Sequence, residues 1–286
     1  MERPVYLDAL KRRKENSLVK VITGIRRCGK SYLLFTLYHQ YLNSIGVDDN
    51  HIIELALDDD LNAQYRNPLE LGKHIRSLIK GKSKMHYVFL DEIQKVAEIK
   101  NPYLPDSDET ITFVDVLNGL MKLPNVDIYV TGSNSKMLSS DILTEFRGRG
   151  DEIRVHPLSF SEFCNGYKGE NAWQEYLTFG GMPFLLSLNS PQDKAKYLHD
   201  LFDKIYLSDV MARNKILSEK SVLDDLLDFT ASSVGSLVNS TTLSNTFKSV
   251  RKTKIDDTTV QTYLDYFEEA FMVEKLKRYD IKGKKH

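Results

Sequence analysis

The chain has 286 residues, 41% of them hydrophobic, with 39 Lys+Arg against 40 Asp+Glu. That length can bury a full core and points to two domains, and a formal net charge of −1 excludes any global attraction to nucleic acid or acidic lipid. No run approaches the roughly 18 apolar residues of a membrane span, Met1-Glu2-Arg3-Pro4 lacks the apolar stretch of a secretion signal, and two cysteines, Cys28 and Cys164, offer no disulfide framework, so a cytoplasmic, reducing setting without membrane association is expected.

In chain order, the apolar run Leu18–Thr23 reads as a buried strand, and Gly24-Ile25-Arg26-Arg27-Cys28-Gly29-Lys30-Ser31 follows it as G-x-x-x-x-G-K-S. This is the context that a phosphate-binding loop needs: a strand, a glycine turn, then a helix opening at Lys30. Backbone N–H groups from Gly24 to Tyr32 would cradle phosphates, aided by the positive end of the helix. Lys30 would reach the β- and γ-phosphates, and the Ser31 hydroxyl would bind Mg²⁺. Arg26 and Arg27 could add phosphate contacts or pair with Asp58, Asp59 and Asp60, while Cys28 reads as a tolerated small residue. Lys30 to Ile45 carries Leu33, Leu34, Leu37, Tyr38 and Tyr41 at helical spacing.

His51–Leu57 is a second strand, and Pro68 opens a helix that runs through Leu78 and Ile79. His86–Leu90 is a third strand ending in Asp91-Glu92. Two acids here could simply begin a helix. Beside an upstream phosphate loop, Asp91 is instead placed to hold Mg²⁺, and Glu92 to deprotonate the attacking water. Asn101–Asp108 is a loop, Phe113–Leu123 a helix, and Asp127–Thr131 a fourth strand. Thr131-Gly132-Ser133-Asn134-Ser135 follows, where Ser133 and Asn134, with Thr131 behind them, would face the γ-phosphate and the lytic water. The same residues also suit a helix cap. Lys136–Phe146 is a helix, and Glu152–Val155 a fifth strand. Between them, Arg149, or Arg147 as the alternate, could project from a glycine-flanked turn into a neighbouring subunit's site, or could lie solvated at the surface. Such alternation of strand and helix means a three-layer αβα core around a parallel sheet, with ligands at the carboxyl ends of the strands.

After Pro157 the pattern becomes helical. Helices are expected at Asn171–Phe179, from Gln192 to Met211, and at Val222–Val234, Thr241–Val250 and Thr258–Phe271. Phe271–Leu276 alternates like the first strand of a wing, so this end suggests a winged helix-turn-helix. Domains are expected at 1–158 (nucleotide-binding), 159–215 (helical lid or connector) and 216–286 (winged helix). DNA binding is an open question. The would-be recognition helix holds Asp257, Asp265, Glu268 and Glu269 and no base, while Lys248, Arg251, Lys252, Lys254, Lys275, Lys277, Arg278, Lys282, Lys284 and Lys285 flank it.

The segments ITGIRRCGKSYLL, YVFLDEIQKV, YVTGSNSKMLS, FRGRGDEIRVHPLSFSEF and FGGMPF resemble prokaryotic AAA+ superfamily ATPases of the AAA_14 type, over nearly the whole chain. The resemblance implies a P-loop core with strand order 5-1-4-3-2, ATP with Mg²⁺ as ligands, and a possible homo-oligomer. It implies Lys30 and Ser31 as Walker A, Asp91 and Glu92 as Walker B, Ser133 or Asn134 as sensor 1, and Arg149 as the candidate trans-acting arginine. Two departures stand out. No sensor-2 arginine lies near Gly180-Gly181-Met182-Pro183, and relatives usually continue past His286 into a further domain. The expected function is ATP hydrolysis coupled to an unknown macromolecular target. The alternatives are a DNA-associated nucleotide switch with slow turnover and a protein-interaction module with a structural ATP site.

Overall fold

The computed structural model describes residues 1–79, 81, 83–133, 150–214, 216, 220–251 and 255–276. Two compact units divide the chain, Met1–Asn189 and Ser190–His286. The first holds a five-stranded sheet: β1 (Val19–Thr23), β2 (Ile52–Ala56), β3 (His86–Asp91), β6 (Val126–Thr131) and β7 (Gly150–Arg154), in the order β2-β3-β6-β1-β7. Every neighbouring pair is parallel. Numbered by their order in the chain, these strands read 5-1-4-3-2 from the β7 edge.

Both faces of the sheet are covered, which is why β1 and β3 are buried at every position. On one face Val19, Val21, Val88, Leu90, Ile128 and Val130 pack with residues of the helices Pro68–Leu78 (α3) and Phe113–Leu120 (α4). On the other, Ile22, Phe89, Tyr129 and Ile153 meet Leu10 of α1 (Pro4–Arg13) and Leu33, Leu34, Tyr38 and Leu42 of α2 (Lys30 to Ser44). Alternate residues of one strand serve opposite layers, as the pleat requires. Helix α2 is α at Lys30–Tyr32, π at Leu33–Tyr38 and α again at His39–Ser44. Its π stretch begins after the three α-helical residues that follow the glycine turn, and such distortions are frequent near functional sites.

Local chemistry sets the helix starts. Asn67 accepts from the N–H groups of Leu69 and Glu70 ahead of α3, with Pro68 at the first helical position. Thr112 and Asp115 form a capping box on α4, and Ser159 and Glu162 form another on α5 (Phe160–Gly166). Elements not expected include α1, α5 and a small antiparallel hairpin of β4 (Ile99–Lys100) and β5 (Thr110–Ile111) that brackets the predicted loop. The helix α6 (Ala172–Phe179) ends at Gly180, whose φ of 76 is left-handed.

The second unit is helical. One helix is α at Pro191–Asp200, π at Leu201–Leu207 and α at Ser208–Arg213. It is followed by Lys220–Ser232, Ser240–Thr246 and Asp257–Glu269, packed around Leu207, Leu223, Leu226, Leu243, Phe247, Val260 and Phe267. The expected wing strand at Phe271–Leu276 does not form. Phe271 is left-handed at φ 58, and the N–H groups of Phe271 and Met272 return to the carbonyls of Glu268 and Phe267 at 2.9 Å, closing the preceding helix. Among the described residues, no helix is long and apolar enough to cross a membrane.

Candidate active site

The carboxyl ends of β1, β3 and β6 lie side by side, and the sequence places its polar residues there. Leaving β1, the chain turns at Gly24 with φ 139, where a Cβ would stand 2.1 Å from the Val155 carbonyl oxygen, so only glycine fits. Gly29 has φ 98, and Arg27 between them is left-handed at φ 64. Cys28 is buried, and its Sγ donates to the Val155 carbonyl at 3.3 Å. Burial pushes the thiol up, which keeps it protonated and unreactive. Lys30 is 4% exposed. Its Nζ donates to the carbonyls of Gly24 at 2.9 Å and Ile25 at 3.1 Å, so the side chain is folded back onto the turn. Arg26 is half-buried, while Arg27, Ser31 and Tyr32 are exposed.

From the turn, Ser31 Oγ donates to Asp91 Oδ2 at 2.7 Å. Asp91 is buried at the last position of β3, and its Oδ1 accepts from Thr131 Oγ1 at the last position of β6. The same Thr131 oxygen accepts the Glu92 N–H at 3.1 Å. Glu92 is left-handed, with φ 55. Its Oε2 accepts from Gln94 Nε2 and, at 3.5 Å, from Ser133 Oγ. One chain of contacts therefore joins Ser31, Asp91, Thr131, Glu92, Gln94 and Ser133. Asn134, Arg147 and Arg149 lie outside the described residues.

This donor set fits a magnesium–triphosphate pair. A hydroxyl and a carboxylate 2.7 Å apart are hard oxygen ligands. Among the described residues, no cluster of three or more His, Cys, Asp or Glu side chains could cage a metal by itself. A cation here would draw its remaining ligands from phosphate and water, the habit of Mg²⁺.

Two contributors escaped the sequence reading. Gln94 follows Glu92 by two positions, and its only signal was membership of the segment YVFLDEIQKV. Arg3 gave no signal, because Met1–Pro4 was read only for the lack of a leader. In the structure Arg3 is 2% exposed. It donates from Nη1 to the Cys28 carbonyl at 3.0 Å, from Nη2 to the His156 carbonyl at 2.7 Å, and from Nε to Glu162 Oε1 at 2.9 Å. It thereby ties the glycine turn to the segment after β7.

Residues 16–164 match the family model described as an AAA domain, and residues 170–286 match one described as a domain of unknown function (DUF8612). An uncharacterized protein of Haemophilus influenzae is 32% identical over 291 residues, covering 99% of this chain and 68% of that protein. One of Methanocaldococcus jannaschii is 29% identical over 287 residues, covering 93% of this chain and 58% of that protein. Among solved structures, a DNA polymerase III gamma subunit-related protein of Thermotoga maritima gives a TM-score of 0.40 at 12% identity, covering 94% of this chain and 92% of that one. The Aeropyrum pernix ORC1 protein in complex with DNA gives 0.38 at 12% identity, covering 94% and 83%. Scores this low carry no argument, and the fold assignment rests on the observed strand order. The match over 16–164 spans more than half of the chain. By sequence and by sheet topology alike, the chain belongs to the AAA-type P-loop ATPase family.

Proposed function

We propose that the chain binds ATP with Mg²⁺ and hydrolyses it, using Glu92 as general base. The observation that supports this reading most directly is the linkage Ser31–Asp91–Thr131–Glu92, which would set the base beside the cation at the mouth of the phosphate loop. The turn N–H groups and Lys30 would hold the β- and γ-phosphates. Ser31 and Asp91 would hold Mg²⁺, which supplies charge neutralisation on the transferred phosphoryl group. Glu92 would take the proton of the attacking water, with Ser133 and Asn134 facing the γ-phosphate. On the family resemblance we take ATP rather than GTP as the nucleotide, and a homo-oligomer in which Arg149, or Arg147 as the alternate, would complete a neighbour's site.

Phosphate release from the wild type and from Glu92→Gln tests the reading. Release that survives the substitution refutes the assignment of the base. Lys30→Ala is expected to weaken nucleotide binding about tenfold or more, through loss of charge-assisted contacts. Unchanged affinity in a fluorescent-nucleotide titration would contradict the placement of that lysine. A DNA-associated switch is the second reading. Lys248 and Lys275 are exposed, while most of the other flanking basic side chains lie outside the described residues. Adding duplex DNA to the same assay separates the two: turnover unaffected by DNA, with no DNA retention, removes the switch.

A further inference from the structure

Arg3 uses all three of its side-chain nitrogens within the first unit, on Glu162, the Cys28 carbonyl and the His156 carbonyl. Its guanidinium carbon also stands 4.6 Å from the centre of the Tyr6 ring, and the Tyr6 hydroxyl accepts the His156 N–H at 3.1 Å. Glu162 is held as firmly. Its second oxygen accepts from the Ser159 N–H at 2.9 Å and the Ser159 hydroxyl at 3.1 Å. The Arg3 and Glu162 side chains are both buried. A buried ion pair by itself adds little to stability, and apolar side chains of similar volume often serve as well. What they lack is a planar fork of donors that holds a carboxylate and two main-chain carbonyls at once.

One of those carbonyls belongs to the glycine turn. The described residues contain no cis peptide bond. The Cys28 C=O and the Gly29 N–H therefore point to opposite sides of the peptide they share. Fixing the carbonyl on Arg3 turns the Gly29 N–H the other way. This is the peptide of the turn with most freedom to do otherwise, because Gly29 has φ 98 and no Cβ to resist a flip. A flipped peptide would present a carbonyl oxygen, not a donor, to an anion in the turn. Arg3 Nη1 would lie 3.6 Å from a Cβ at Gly29, so the guanidinium packs directly beside the residue whose N–H it orients. A charge-assisted hydrogen bond on the carbonyl also polarises the peptide and makes its N–H a stronger donor.

We propose that Arg3 is a positioning residue for the phosphate loop: by clasping the Cys28 carbonyl it aims the Gly29 N–H into the anion cradle and so sets the affinity for the phosphates of the nucleotide. The inference rests on the function proposed above and adds a determinant of its binding step. Arg3→Met combined with Glu162→Gln removes the fork, leaves no buried charge and keeps an oxygen for Ser159. Its Kd for ADP and ATP with Mg²⁺, read by fluorescent-nucleotide titration, should rise about 10-fold, the worth of one charge-assisted hydrogen bond. KM for ATP should rise with it, while kcat at saturating ATP stays within about twofold.

Two single variants separate positioning from plain stability. Arg3→Lys keeps a cation beside Glu162 but replaces the fork by a point donor, and it serves where the double change unfolds the chain. Its KM should rise about threefold or more, with kcat held. Glu162→Gln removes the carboxylate charge and leaves Nη1 on the Cys28 carbonyl, so its melting temperature should fall while its nucleotide affinity holds. A folded Arg3 variant that binds nucleotide as tightly as the wild type overturns the proposal. An equal loss of affinity in Glu162→Gln and Arg3→Lys also overturns it, since Arg3 would then act only as a structural bolt. Wild-type protein that binds no nucleotide removes the proposed function and the clasp together, whereas wild-type binding with unaltered Arg3 variants removes the clasp alone.

Discussion

The two ends of the central sheet bury similar polar residues and treat them in opposite ways. At the amino end, Lys20 of β1 pairs with Asp127 of β6, and both side chains are almost wholly buried. Lys20 Nζ also donates to the Leu18 carbonyl at 2.8 Å and to Asn16 Oδ1 at 3.2 Å. Asp127 Oδ2 accepts from the Tyr129 hydroxyl at 2.7 Å and the Glu15 N–H at 2.9 Å, and Tyr38 joins Tyr129 at 2.6 Å. Burial pulls the Lys20 pKa down against the pull of the Asp127 charge, and it pushes both phenols up, so they stay protonated hydrogen-bonding groups. This network is closed. At the carboxyl end, Asp91 is bonded through both oxygens, but Glu92 sits on a strained backbone and Gln94 keeps an unpaired carbonyl. A closed network resists change and gives stability, whereas an open one can exchange partners, which chemistry demands.

Substitutions at the two ends should therefore fail differently. The largest effect is expected at Glu92→Gln. Phosphate release should fall by about 10²- to 10⁴-fold, the usual worth of a general base, while nucleotide binding and melting temperature hold. At the opposite end Asp127→Ala strands a buried lysine and should cost about 3–5 kcal/mol in denaturant unfolding. The folded fraction should keep its nucleotide affinity. Replacing both partners, Lys20→Met with Asp127→Leu, should recover most of that loss. If the double variant is as unstable as the single one, the pair does more than neutralise itself.

Thr131→Val belongs to both categories, because one hydroxyl serves the Asp91 side chain and the Glu92 backbone. It leaves a partly buried N–H unpaired and should cost about 1–3 kcal/mol, with a fall in kcat beyond what the stability loss explains. The smallest effect lies on the surface. His39 bonds to Glu54 at 2.7 Å and Asp49 at 3.0 Å. Burial alone would lower its pKa, but the two carboxylates outweigh it and the net shift is upward. A raised folded-state pKa stabilises most below the ordinary histidine value and loses that contribution as pH rises through the folded value. The melting-temperature gap between wild type and His39→Gln should accordingly be wider near about pH 6 than near about pH 8.5. An equal gap at both would remove the charge from the explanation.

Much of this was legible in the residues themselves. Gly24, Gly29, Lys30 and Ser31 announce the phosphate turn because each has a local backbone or chemical duty that few other residues fulfil. The apolar runs of β1 and β3 announce a sheet covered on both faces, because a strand with only one buried face would alternate. Helices α3 and α4 start at Pro68 and Phe113, where the sequence reading opened them. The reading went astray where local pattern was weak or misleading. Phe271–Leu276 alternates like a strand, yet it closes a helix, since nothing among the described residues pairs with it.

Tertiary structure decided the rest. Ser31 and Asp91 are 60 residues apart, and Arg3 and Glu162 are 159 apart. The parallel order of the sheet brings the first pair together. The packing of α1 and α5 onto one unit brings the second. Period and propensity act over a few residues and say which face of an element is buried, but not which element lies next to it. Thr131 and Gln94 owe their importance to β3 and β6 being neighbours, and Glu92 owes its strain to the turn that must join them to the site. Those relations arise only when burial of the whole sheet outweighs the local preferences of each segment.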